Sequence, residues 1–180
     1  MIDIESLQKK LMEKEKHLDS ILLESRRIIR ACSNSIKAIH ARDHKAADKF
    51  LDEAEAGIKS ISSYSEQFPA QVTHMMQEYA EARIVLGAVK DREIPSAKKL
   101  GIEEIPYVLG LLDAIGELKR EMYESLRKGS KEEAEQYFKM MEEIYDGLLP
   151  LRFSNAILPD FRRKQDAARH QIEQARGELL

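Results

Sequence analysis

The chain has 180 residues, 43% hydrophobic and 34% charged, with 29 Lys and Arg against 32 Asp and Glu for a formal net charge of −3. That length suits one domain over residues 1–180 with a core of its own, and the slight acid excess is not the signature of a protein that coats nucleic acid by net charge, although a basic patch is compatible with it. One cysteine, Cys32, excludes an internal disulfide framework and fits a reducing compartment.

Punctuation by Gly and Pro is sparse, and no stretch alternates like a strand. From Ile4 to Arg42 apolar residues step by three and four (Leu7, Leu11, Leu18, Ile21, Leu22, Ile28, Ile29, Cys32, Ile36, Ile39). This predicts one helix of about 60 Å, or two with a subtle break. Its opening, MIDIESLQKKLMEKEK, is too charged for a signal peptide. No apolar run reaches the roughly 20 residues of a membrane helix, so a soluble, cytoplasmic protein is expected. Asp43 is placed to cap a second helix running to about Glu66. Pro69 opens a third, to about Val89. KDREIPSAKKLGIEEIPY is irregular. A fourth helix spans Pro106 to Lys128, with Gly129 ending it. Ser130 and Glu133 in SKEE have the spacing of a capping box for a fifth helix to about Leu149. Pro150 and Pro159 bound a loop before a last helix from Asp160 to about Gln174. The sum is an all-α bundle of six or seven helices with a long N-terminal helix.

In the third helix Val72, Met75, Tyr79, Ala82, Leu86 and Val89 form a seam, and Ile84, Val85 and Ala88 lie off it. A helix apolar on several sides is central, or covered by another subunit; an oligomer is expected.

Acids interrupt these apolar stretches. Glu78 and Glu81 in QEYAEA lie one turn apart on the same side of the third helix. Asp113 and Glu117 in LLDAIGEL repeat the arrangement on the fourth, and Asp146 in EIYDGLL sits on the fifth. Converging carboxylates in low dielectric raise one another's pKa or demand a cation. A hard divalent ion such as Mg²⁺ or Mn²⁺ meets that demand and suits phosphodiester chemistry. Spacing alone leaves open whether these acids face water or a metal. A di-iron bundle would need Glu-x-x-His on two helices, and no helix carries it. Neither a P-loop nor a dinucleotide fingerprint is present.

Two segments are basic. Around the end of the first helix, Arg26, Arg27, Arg30, Lys37, Arg42, Lys45 and Lys49 stand against Glu24, Asp43 and Asp48, seven against three, a local net of +4. The last helix carries Arg162, Arg163, Lys164 and Arg169. Such clusters either grip phosphates or pair with acids on neighbouring helices. Phe161 is the one clear stacking candidate nearby.

In order and spacing, QEYAEA, LGIEEIPYVLGLLDAIGELKREM, YDGL and FRRKQD resemble the translin family over most of the chain. At its Glu-Tyr-x-Glu the sequence resembles the branch of translin-associated factor X (TRAX); FRRKQD is closer to the translin branch, with Gln165 where that branch has Tyr. The mixture and the compact length are similar to archaeal members. The resemblance implies a homo-oligomeric, octameric shell enclosing RNA and a Mg²⁺-dependent endoribonuclease acting on single-stranded RNA and single-stranded DNA. It assigns Glu78, Glu81 and Asp146 as catalytic and metal-binding. Glu117 aligns with a Glu of both branches, as a shared ligand or a structural residue. Arg26, Arg27, Arg30, Lys37, Arg162, Arg163 and Lys164 are the expected phosphate contacts. The rival expectation is a non-catalytic RNA- or DNA-binding scaffold.

Overall fold

The computed structural model describes residues 2–179. Among them are seven α-helices: α1 (Ile4–His40), α2 (His44–Ile61), α3 (Pro69–Lys90), α4 (Ala97–Leu100), α5 (Glu104–Arg127), α6 (Lys131–Leu148) and α7 (Phe161–Leu179). None is long and apolar enough to cross a membrane.

The first helix is unbroken over 37 residues, capped by Asp3, whose carboxylate accepts from the Ser6 N–H. From Ile21 onward it buries Ile21, Ile28, Ala31, Cys32, Ser35 and Ile39. Residues 4–16 are exposed throughout, Ile4, Leu7, Leu11 and Met12 among them. Arg42, at φ 63°, turns the chain, and Asp43 caps α2 by accepting from the Ala46 N–H, as its position predicts. The second helix stops at Ile61 and tightens into a 3₁₀ turn, Ser62–Tyr64, short of the expected end at Glu66.

Packing is layered. The α1–α2 hairpin lies on α3, α3 lies on α5, and α5 carries the α6–α7 pair on its other side. This accounts for the pattern of α3, which buries its seam together with Ile84, Val85 and Ala88. Its several apolar sides are covered by α1, α2 and α5 of the same chain, so they supply no argument for a second subunit. The uncovered apolar surface is on α1 instead.

Three local expectations are revised. The irregular segment contains the one-turn α4, where Ser96 accepts from the Lys99 N–H and Gly101, at φ 65°, closes the turn. The next helix begins at Glu104 rather than Pro106, so the proline sits in its first turn, where a missing N–H costs nothing. The capping box does not form: Ser130 makes no side-chain cap, and Glu133 accepts from Arg92 and from Ser125 Oγ instead. Two partners across the bundle, one of them cationic, outweigh one exposed backbone N–H.

Gly110 sets the spacing at the centre. A Cβ there would lie 2.8 Å from Ala80 Cβ and 3.0 Å from both the Gln77 oxygen and the Glu81 nitrogen. Only a glycine lets α5 come this close to the α3 backbone. Asp113, three residues on, shares that face and is thereby aimed at the Glu78–Glu81 turn.

Candidate functional site

A cavity of about 950 Å³ opens between α3, α5, the α6–α7 loop and α7. His74, Gln77, Glu78 and Glu81 reach it from α3, Asp113 from α5, and Asp160, Arg163 and Lys164 from the loop and α7. The Tyr of the Glu-Tyr-x-Glu element points the other way. Tyr79 is buried, and its hydroxyl accepts from Arg83 Nε at 2.8 Å and donates to Glu55 of α2.

The carboxylates act on one another. Burial first, then the charges of Asp113, Glu78 and Glu117, push Glu81 up to about 8. Glu78 is raised as well, by burial and by Asp113, against the opposing charges of His74 and Lys164. Asp113 is held at both oxygens: Lys164 Nζ lies 2.5 Å from Oδ1, and Gln77 Nε2 donates to Oδ2 at 2.6 Å. Lys164 is thus the one cation paired within the group.

The expected trio is not brought together. Glu78 and Glu81 share the cavity, but Asp146 is exposed on the last turn of α6 and does not line it. Asp113 stands where a third acid was expected. The signal for it was present in the sequence, as an acid three residues after a glycine in LLDAIGEL. Glu117 turns away from the cavity toward His40 Nε2 at 2.6 Å, and His40 Nδ1 meets the buried Glu121 at 2.5 Å. Burial alone would lower His40, yet these hydrogen bonds carry it up to about 9. The His40 hydrogen bond holds Glu117 below the usual carboxylate range. The chain continues through Arg42, 2.8 Å from Glu121, to Glu133 and Arg92.

The cavity offers carboxylate oxygens, the chemistry of Mg²⁺ or Mn²⁺, together with the His74 imidazole and the Gln77 amide. Among the described residues, no three acids, histidines or cysteines are drawn around one point; Lys164 holds Asp113 in the present arrangement. The carboxylates are of the type such an ion takes, and Asp113 is engaged by Lys164 and Gln77.

The basic clusters divide. Arg163 is paired with Asp160 and Arg27 with Glu24. Arg26, Arg30, Lys37 and Arg162 are exposed and make no ion pair among the described residues. No residue of α1 lines the cavity, whereas Arg163 and Lys164 do. Phe161 is buried in the core, which removes it as a stacking platform. Cys32 is buried and its thiol pushed up to about 12, first by burial and then by the charges of Glu78 and Glu81, so it is no nucleophile.

Known structures share the whole of this arrangement of helices. The crystal structure of AfC3PO superposes with a TM-score of 0.87 at 27% identity, covering 99% of this chain and 95% of that one. A second AfC3PO structure, a complex with duplex RNA, matches at 26% identity with the same TM-score and coverage. That of apo-NeC3PO matches at 26% identity and a TM-score of 0.88, over 99% of this chain and 96% of its own. An uncharacterized protein of Methanocaldococcus jannaschii is 37% identical over 177 residues, 94% of this chain and 78% of that protein. The model of the Translin family matches residues 3–175, nearly the full length from α1 to α7, and the chain belongs to that family.

Proposed function

We propose that this protein is a metal-dependent endoribonuclease of the TRAX type, acting in the cytoplasm as a self-assembled shell. One observation carries the reading: Glu78, Glu81 and Asp113 share a cavity with one paired cation, and Glu81 is held near pH 8 by burial and like charge. A carboxyl strongly perturbed by burial and specific charge partners in a cleft is a functional-site candidate. Glu78, Glu81 and Asp113 would hold Mg²⁺ or Mn²⁺, with Glu117 close enough to feel the same charge. The chemistry such an ion supplies is activation of water and neutralisation of the leaving oxygen. Lys164, released from Asp113, and Arg163, released from Asp160, would hold the scissile phosphate; both line the cavity. Arg26, Arg30 and Lys37 would bind the backbone elsewhere on the chain, with a salt dependence set by the phosphates they neutralise.

RNA as the ligand class is supported by AfC3PO, solved with duplex RNA; single-stranded RNA is the proposed substrate, single-stranded DNA a second. Self-assembly is supported by the apolar residues left uncovered on α1; an octamer is the proposed form.

The test is cleavage of an unstructured RNA by the purified protein with Mg²⁺ or Mn²⁺, against EDTA and against Glu81→Gln. Loss of cleavage in both controls is expected; a Glu81→Gln variant that cuts as fast as wild type overturns the assignment. The second reading, a non-catalytic RNA-binding scaffold, is favoured by the Lys164–Asp113 and Arg163–Asp160 pairs, which already neutralise two acids. It predicts binding that persists in EDTA and no cleavage with any divalent ion.

A further inference from the structure

The loop between α6 and α7 separates the acidic cavity from a smaller one of about 280 Å³, lined by Arg152, Phe153, Phe161, Arg162, Gln165 and Asp166 among others. The first turn of α7 serves both. Arg163 and Lys164 face the acids, and Arg162 and Gln165 face the smaller cavity.

The walls of this second cavity are unusual for this protein. Phe153 is 48% exposed, the most exposed aromatic side chain among the described residues. Aromatic residues make up only 6% of the chain, and Tyr123 and Phe153 are the exposed ones among the described residues. Beside it, Arg162 is exposed and makes no ion pair among the described residues, while both following cations have acidic partners. The acid on the rim, Asp166, is turned to Arg169 at 3.7 Å, so it does not neutralise Arg162. Arg152 is fixed by donating to the Leu149 and Leu151 carbonyls, and a guanidinium has donors to spare after two bonds. Gln165 donates to the Leu148 carbonyl at 3.4 Å, which leaves its amide oxygen as an acceptor. A flat ring, an exposed guanidinium and one amide acceptor are the groups that recognise a base with its phosphate. A ring at a loop tip reaches a base only when that base is out of a duplex.

We propose that the smaller cavity binds one unpaired nucleotide of an RNA strand that crosses the α6–α7 loop into the acidic cavity, its base stacked on Phe153 and its phosphate held by Arg162. The proposal rests on the RNA-binding half of the function proposed above and not on cleavage. Stacking on an aromatic ring is tolerant of base identity, so the subsite holds the strand in register without choosing a sequence.

The chain has no tryptophan, which makes a direct probe available. Phe153→Trp introduces a single indole whose emission is quenched when a base stacks on it. Binding is measured in EDTA with fluorescein-labelled oligouridylate by anisotropy, and with a blunt RNA duplex of the same length. Wild type is expected to bind the single strand. Phe153→Ala weakens it about tenfold, the loss of one stacked base, and leaves the blunt duplex within twofold. Arg162→Gln weakens the single strand and lowers the salt dependence of its binding by one phosphate contact. The Phe153→Trp emission falls saturably with the single strand. Unchanged indole emission while anisotropy reports bound strand overturns the subsite. So does a Phe153→Ala variant that binds the single strand like wild type, or whose only defect is a smaller assembly by light scattering. Absence of binding by wild type overturns the RNA-binding function itself, and the subsite with it.

Discussion

Two acidic clusters lie on the two sides of α5 within three helical turns of each other, and they are resolved in opposite ways. Toward α1 and α6, Glu117, Glu121 and Glu133 meet His40, Arg42 and Arg92, three acids against three bases in one connected network. Toward α3 and α7, Glu78, Glu81 and Asp113 have the one ion pair with Lys164. The first cluster is complete in the folded chain. The second holds more negative charge than the chain neutralises, and Glu81 absorbs the surplus by keeping its proton up to about pH 8. Acid density alone does not mark a binding site; what distinguishes the cavity is charge left unanswered.

The comparison breaks most severely on the complete side. Glu121 is 2% exposed and is the common partner of His40 and Arg42. Glu121→Ala removes the carboxylate shared by two charge-assisted contacts, each worth about 1.5–3 kcal/mol, leaving His40 with Glu117 alone and Arg42 with the more distant Glu133; it is expected to cost about 3–5 kcal/mol of stability, read as a lower denaturant midpoint with little change in slope. On the surplus side, Asp113→Asn removes like charge from around Glu81 while keeping the side chain's volume. It is expected to lower cleavage about 10²–10³-fold, the scale on which loss of one electrostatic catalytic group is usually felt. Unfolding should be little affected, since the Asn carbonyl keeps the Lys164 contact and Gln77 can turn its amide to accept from the new NH2. A protein that unfolds in the first case and fails in chemistry in the second is the outcome that separates the clusters.

Gly110 belongs to the second side by position. Gly110→Ala places a Cβ 2.8 Å from Ala80 Cβ, forcing α3 and α5 apart at the cavity. A loss of about 1–3 kcal/mol is expected, together with loss of divalent-ion binding measured by calorimetry. Retained binding at wild-type affinity would show that the α3–α5 spacing does not set the site.

The helices were legible because 3.6-residue periodicity, Pro69 and Gly129 are local signals. The one-turn α4 was not, since it depends on the Ser96 cap and the left-handed Gly101 together. The capping box was a local signal overruled by a distant one, the Arg92–Glu133 pair. The cavity was half legible. Glu78 and Glu81 announce themselves by spacing, but Asp113 and Asp146 look alike in sequence, each an acid among apolar neighbours on a helix. What separates them is that α5, and not α6, packs against α3, with the Asp113 face set by Gly110 against the α3 backbone, a contact between segments some thirty residues apart. Phe153 and Phe161 pose the same problem, two aromatics near one loop with opposite burial.

Protonation sharpens the comparison in the absence of metal. Glu81 rises from an ordinary 4.5 to about 8, so the folded protein binds more protons than the unfolded chain. Its contribution therefore falls as pH climbs through that window. His40, raised from 6.5 to about 9, contributes stability that is whole below pH 6.5 and lost on approaching 9. The metal-free protein is expected to have a lower Tm at pH 9 than at pH 6.5. A divalent ion must displace the Glu81 proton, so affinity for Mn²⁺ rises about fivefold between pH 7 and 8. Titration calorimetry at the two pH values checks this, and a pH-independent affinity would remove Glu81 from the ligand set.

The smallest effect is expected where a sequence reading alone expects a large one. Asp146 is exposed at the end of α6, and no side chain contacts it by hydrogen bond or ion pair among the described residues. Its charge is not among those acting on Glu81 or Glu78. Asp146→Asn should leave cleavage within about twofold of wild type and stability within about 0.5 kcal/mol, as for surface substitutions generally. Assayed beside Asp113→Asn, it asks the sharper question, since both variants remove one carboxylate from a similar sequence context. Equal loss in both would mean that α6 swings its last turn toward α3 when RNA and metal bind. Loss in Asp113→Asn alone would place the third acid on α5, one turn beyond the glycine that brings the two helices together.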